Sequence, residues 1–248
     1  MRRHIANCFT LLNLVFGCLA VIQILQGVAG LSGGHEDAVE RMQTASMFIC
    51  LAAVVDFLDG LIARLLAASS EMGKQLDSLA DLVSFGLAPG LILYEFLQIS
   101  FAATRGVSVN YWYLLPALLI PCAGAYRLAR FNLGTGFSTE FEGLPIPAGG
   151  ILIASFPLIY LSSSFNAVQR LLQLPVFWYA LIFIVSFLMV STLPMMSLKF
   201  KNLSFVQNWP KFLLFVLAVI CGLILHWLAV PVVFLVYTLL SLILIRKS

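Results

Sequence analysis

Charge is scarce in this 248-residue chain: Asp, Glu, Lys and Arg make up 10% of it, against 61% hydrophobic residues. Soluble domains carry about 25% charged and about 45–50% apolar residues, so the composition excludes a soluble fold and points to an all-α integral membrane protein. Cysteine is sparse as well. Cys8, Cys18, Cys50, Cys122 and Cys221 stand singly in apolar runs with no C-x-x-C pair, which excludes a thiolate metal site and leaves them as small hydrophobes. The three histidines, His4, His35 and His226, are too dispersed for a zinc-type cluster. No basic patch is interleaved with aromatics, which excludes a nucleic-acid partner. Long-period repeats, low-complexity tracts and flexible linkers are absent too.

What remains is a succession of apolar runs. A crossing helix needs roughly 20 apolar residues, and the runs give about eight candidate transmembrane helices, at 5–28, 43–67, 77–100, 111–132, 147–164, 174–196, 208–227 and 229–246. Alternating their direction puts Arg2, Arg3, Arg64, Lys74, Arg127, Arg130, Lys199, Lys201, Lys211, Arg246 and Lys247 on one side, with only Arg41, Arg105 and Arg170 on the other. Short cytoplasmic loops are enriched in Lys and Arg, so both termini are expected to be cytoplasmic. The opposite connection "GGHEDAVER" reads as an acidic loop. A cleaved signal peptide at the start would need a shorter apolar run followed by a clear A-x-A site. Pro231 is the turn signal between the last two spans.

Four aspartates interrupt this apolar pattern. Asp56 and Asp59 are three residues apart near the end of the second span; Asp77 and Asp81 are four apart at the start of the third. These spacings put each pair on one helix face, and a short connection makes the two helices antiparallel neighbours, so the four carboxylates should converge near the cytoplasmic surface. Each aspartate at mid-membrane costs roughly 2.5–3.5 kcal/mol, on the order of 10 kcal/mol for four. Arg64 and Lys74 bring only two positive charges nearby. Hard oxygen ligands without nearby Cys or His favour magnesium, manganese or calcium over zinc, and a pair of such ions about 3.5–4 Å apart is a recurring apparatus for displacement at phosphorus. Gly60, Ala63 and Gly73 beside the acids suit either a ligand cradle or close helix packing. A competing class, an ion- or proton-coupled transporter, would spread its acids across membrane depth; here the only other acid within a span is Glu95.

The pattern D-x-x-D-G-x-x-A-R-x(8)-G-x-x-x-D-x-x-x-D, at Asp56, Asp59, Gly60, Ala63, Arg64, Gly73, Asp77 and Asp81, resembles the signature of the CDP-alcohol phosphotransferase family. "ANCFTLLNLVFG", "DSLADLVSFGLAPG", "YRLARFN" and "GLPIPAGG" are similar to segments of its phosphatidylserine synthase branch, with Ala6 standing where a proline is common. The resemblance covers about the first 150 residues. It implies a multi-pass enzyme of the cell membrane with a six-helix catalytic core at about 1–196 and additional helices at 197–248. Such an enzyme transfers a phosphatidyl group from CDP-diacylglycerol to the hydroxyl of L-serine and releases CMP; another acceptor alcohol or an archaeal CDP-lipid is the alternative within the family.

By matched position, the resemblance implies that Asp56, Asp59, Asp77 and Asp81 ligate two divalent cations, Mg2+ or Mn2+, and that Asp81 is the general base. It further implies that Gly60, Ala63, Arg64, Ser70, Gly73, Asn7 and Thr10 lie against the CDP-lipid, and that the protein is a homodimer. Arg127, Arg130, Asn132 and Lys74 are candidates for the acceptor or its phosphates, because a guanidinium fork suits a carboxylate or phosphate. For the two arginines, positive-inside anchoring is the competing reading. An amphiphilic CDP-lipid would keep its chains in the bilayer and present its pyrophosphate at the cytoplasmic face, where serine arrives.

Overall fold

The computed structural model describes residues 2–29, 34–65, 70–105, 109–133, 141–162, 166–195 and 205–245. Backbone polar groups cannot stay unpaired in hydrocarbon, and the apolar runs satisfy theirs as helices. In chain order these are α1 (Arg2–Ala29), α2 (Gly34–Leu65), α3 (Glu71–Asp81), α4 (Ala88–Arg105), α5 (Leu119–Leu133), α6 (Ile146–Ser162), α7 (Asn166–Leu172), α8 (Pro175–Val190), α9 (Phe205–Leu225) and α10 (Ala229–Ile245). The extended pairing among the described residues is a two-residue antiparallel ladder, β1 (Phe141–Glu142) with β2 (Pro194–Met195).

Among the described residues, five helical stretches are long and apolar enough to cross a membrane, at 7–27, 37–62, 71–104, 111–133 and 211–241. Counting α7 and α8, bent by 74°, as one broken span makes six. The apolar α6 is shorter, at 17 residues, and the stretch 211–241 runs through α9 and α10, which a 3-10 turn at His226–Leu228 separates. The chain is thus a multi-pass helical membrane protein.

Two boundaries correct the sequence reading. The expected acidic loop "GGHEDAVER" is helical from Gly34 onward. Val39, Met42, Ala45, Ile49 and Ala52 recur every three or four residues and are all buried, so the apolar stripe of α2 begins within the acidic stretch and carries it into the helix. The third span likewise starts earlier, at Glu71. Ser70 caps it from an extended conformation, its Oγ accepting from the Gly73 N–H at 3.0 Å.

α3, a π-helical turn at Leu82–Leu87 and α4 follow one another without a break and form the central element, with α1, α5, α6 and α8 packed around it. The π-turn is gripped closely. A Cβ on Gly17 of α1 would lie 2.9 Å from Ser84 Cα, and one on Gly150 of α6 would lie 2.8 Å from Phe85 Cβ; only glycine lets both helices come this near. Further along, Phe96 of α4 stacks on Trp178 of α8 at 4.3 Å, and the Trp178 Nε1 donates to the Leu172 carbonyl at 2.8 Å, fixing the bend between α7 and α8. α1 packs against both α2 and α3, which touch each other little. The two acid-bearing helices are therefore spaced by α1 rather than by mutual packing.

Candidate metal centre and active site

The acid cluster is assembled from α2 and α3. One ligand oxygen each from Asp56, Asp59 and Asp77 lies within 4.8 Å of the others, and the Asp56 carboxyl is within hydrogen-bonding reach of Asp81. Asp59 and Asp81 are nearly buried. The two local cations do not answer this charge directly. Arg64 turns its Nε back to the Gly60 carbonyl at 2.8 Å, while Lys74 points its Nζ at the Asn132 carbonyl at 3.4 Å and covers the Phe131 ring. A trio of carboxylate oxygens at this separation fits the hard, all-oxygen donor set that a divalent cation such as Mg2+ or Mn2+ requires.

α1 supplies the neutral partners. Thr10 Oγ1 donates to Asp59 Oδ2 at 3.0 Å, and Asn13 Nδ2 donates to Asp81 Oδ1 at 3.2 Å. Asn7 lies over Gly73, where an added Cβ would come 3.3 Å from Asn7 Oδ1 and 3.1 Å from Ser70 Oγ. Gly73 thus admits the first helix, and the Ser70 hydroxyl expected at the nucleotide is engaged as a helix cap. Gly60 differs: an added Cβ there would meet no atom within 4 Å, so the surface of α2 beside the acids is open. The side chain of Ala63 lies outside the described residues.

The acceptor candidates separate into two groups. Arg130 donates from its two terminal nitrogens to the Val190 and Ser191 carbonyls at 2.8 and 3.0 Å, closing the C-terminal end of α8, where the helix leaves carbonyls unpaired. Asn132 donates to Ser78 Oγ at 2.9 Å and, with Lys74, ties α5 to α3. Capping and helix-tying contacts thus engage all three of these groups. Arg127 is different. It is only 7% exposed, its Nε is sealed in without a hydrogen-bond partner, and Asp81, Arg130 and Tyr237 of α10 lie within electrostatic range.

A family model for CDP-alcohol phosphatidyltransferase matches residues 3–172, which include the whole acid cluster and α1. The chain belongs to the CDP-alcohol phosphatidyltransferase family. Among curated relatives of this phosphatidyltransferase-family chain, the CDP-diacylglycerol–serine O-phosphatidyltransferase of Saccharomyces cerevisiae is 40% identical over 153 residues, 58% of this chain and 50% of that protein. The Bacillus subtilis protein of the same name is 34% identical over 154 residues, 60% of this chain and 76% of its own length. An archaetidylserine synthase of Methanothermobacter thermautotrophicus is 31% identical over 163 residues, 65% of this chain and 60% of that protein. The match spans half of the yeast protein's length.

Sequence reasoning missed Asn13, which donates to Asp81, and Tyr237, which lies within electrostatic range of Arg127. Asn13 carried a readable signal, since Asn7, Thr10 and Asn13 repeat every three residues in a stretch of α1 whose other residues, from Ile5 to Ile22, are apolar or small. Tyr237 carried none, being one aromatic in a long apolar run outside the matched region.

Proposed function

We propose that this chain transfers the phosphatidyl group of CDP-diacylglycerol to the hydroxyl of L-serine, giving phosphatidylserine and CMP. The observation that carries the reading is the convergence of Asp56, Asp59 and Asp77 with Asp81 beside them, in a family whose relatives named above act on serine or make a serine lipid. The serine oxygen forms a bond to the phosphatidyl phosphorus, the bond from that phosphorus to the bridging pyrophosphate oxygen breaks, and CMP leaves with the electron pair. Asp81 takes the hydroxyl proton, which a serine needs to lose during attack at neutral pH.

Asp56, Asp59, Asp77 and Asp81 are the groups that would hold two divalent cations, Mg2+ or Mn2+. Such ions, when bound, polarise phosphoryl oxygens and stabilise a departing phosphate. The open flank at Gly60 accepts the nucleotide, with Asn7, Thr10, Ala63, Arg64, Ser70 and Gly73 around its edge. Arg127, whose guanidinium has an unmet donor, receives the serine carboxylate; Arg130, Asn132 and Lys74 support the wall behind it. The resemblance favours a homodimer and a core reaching about residue 196, with α9 and α10 added to it. The apolar runs suggest eight crossings, and the lysine and arginine bias supports both termini, and with them the site, lying on the cytoplasmic side of the cell membrane.

The test is an assay of the purified full chain in lipid nanodiscs with Mn2+, diacyl and ether-linked CDP-lipids, and a panel of alcohols. Serine-dependent CMP release with matching phosphatidylserine is expected. CMP release only with another alcohol would refute the acceptor, and serine uptake into proteoliposomes without any CDP-lipid would favour a transporter.

A further inference from the structure

The polar residues of α1 form a ruler along the site. Asn7, Thr10, Asn13 and Gly17, spaced by three, three and four residues, lie on one helix face. Each meets a different part of the acid-bearing elements: Asn7 meets Gly73, Thr10 meets Asp59, Asn13 meets Asp81 and Gly17 meets Ser84. Because α2 and α3 barely touch, this face of α1 sets how the acids stand relative to one another.

Asn13 has the most constrained place in the row. It is fully buried, at 0% exposure. Its Nδ2 donates to Asp81 Oδ1 at 3.2 Å, and its backbone carbonyl accepts from Ser84 Oγ at 3.1 Å. Ser84 sits in the π-turn three residues after Asp81, so Asn13 is tied twice to the same stretch. Its own Oδ1 is sealed in with no donor. A leucine of similar volume would fill this space and remove the unmet Oδ1, but it would take the donor from Asp81 Oδ1; packing alone does not account for an amide here, and its donor does.

A carboxylate rotates about its last side-chain bond unless a partner fixes it. Asp81 has a competing neighbour in Asp56, within hydrogen-bonding reach, and the donor on Oδ1 restrains the group from turning toward that side. We propose that Asn13 is a positioning residue for Asp81: it fixes the carboxylate in one orientation, with Oδ2 left for the proton of the incoming hydroxyl. The inference rests on the reading of Asp81 as the base.

The test is Asn13→Leu in the full chain, with kcat, the KM of each substrate, Mn2+ half-saturation and the thermal midpoint measured beside the parent. Misorientation of a reacting group by about 1 Å costs about 100-fold, so kcat at saturating Mn2+ is expected to fall by at least about tenfold while both KM values stay within about threefold. The thermal midpoint is expected to change little or fall slightly, since the replacement removes one unmet acceptor, Asn13 Oδ1, but leaves Asp81 Oδ1 without its donor. A kcat at saturating Mn2+ within about threefold of the parent overturns the positioning role, as does a kcat loss that excess Mn2+ restores. Failure of the parent to make phosphatidylserine would overturn the underlying reaction as well; a normal parent beside an unimpaired Asn13→Leu overturns only the role of Asn13.

Discussion

Thr10 Oγ1 lies 3.0 Å from Asp59 Oδ2, a hydrogen bond between residues 49 positions apart that fastens the first helix to a carboxylate of the acid cluster. Groups that orient a metal ligand commonly contribute 10–100-fold to metal affinity. Thr10→Val keeps the shape and removes the donor. A Mn2+ titration of activity is expected to give a half-saturation raised about tenfold, with little change in the thermal midpoint; an unchanged half-saturation would separate Thr10 from metal binding.

Carboxylates crowded in this way oppose one another in the metal-free protein. Asp56→Asn removes one of them while keeping its volume, and relief of about 1 kcal/mol corresponds to about 2–4 °C in a chain of this size. The metal-free variant is therefore expected to melt above the metal-free parent and to be inactive when Mn2+ is restored. Scanning calorimetry with and without chelator, paired with the CMP assay, reads both effects.

The two arginines of α5 should behave differently. Arg127→Lys replaces a planar fork by a point charge and is expected to raise the KM for serine about tenfold or more, leaving the KM for the CDP-lipid nearly unchanged. Arg130→Ala removes two donors from the carbonyls that end α8 and is expected to lower stability by about 1 kcal/mol, the modest net worth of hydrogen bonds at a partly exposed helix end. Steady-state kinetics together with thermal unfolding distinguish a binding loss from a structural one.

Two glycines give a similar contrast. Gly150→Ala would drive a methyl into Phe85 beside the π-turn, and overpacking of this kind costs about 1–3 kcal/mol. Gly60→Ala meets open space and gains helix propensity of about 1 kcal/mol, so it should fold at least as well as the parent. Its expected defect is an increased KM for the CDP-lipid, measured at saturating serine.

The sequence exposed most of the helices and the acid cluster, because both depend on local spacing: long apolar runs make helices in lipid, and acids three or four residues apart share a face. It exposed less of what crosses between helices. The capping role of Arg130 depends on where α8 ends, 60 residues later, and the tie from Asn132 to Ser78 spans 54 residues. The acidic stretch after α1 misled because its charges mark a loop by composition, whereas Val39 and Met42 fix it as helix by burial. Asn13 was within reach: an amide in a polar three-residue row needs a partner in a membrane, and the acids were the available ones.

The most direct test of the central claim is a Mn2+ titration of the full chain in nanodiscs followed by electron paramagnetic resonance, with Asp77→Asn alongside. The account predicts two equivalents of tightly bound Mn2+ per chain, magnetically coupled to each other, with that coupling lost in Asp77→Asn. A parent that binds no Mn2+ tightly, or an Asp77→Asn variant that binds both ions as the parent does, would contradict it.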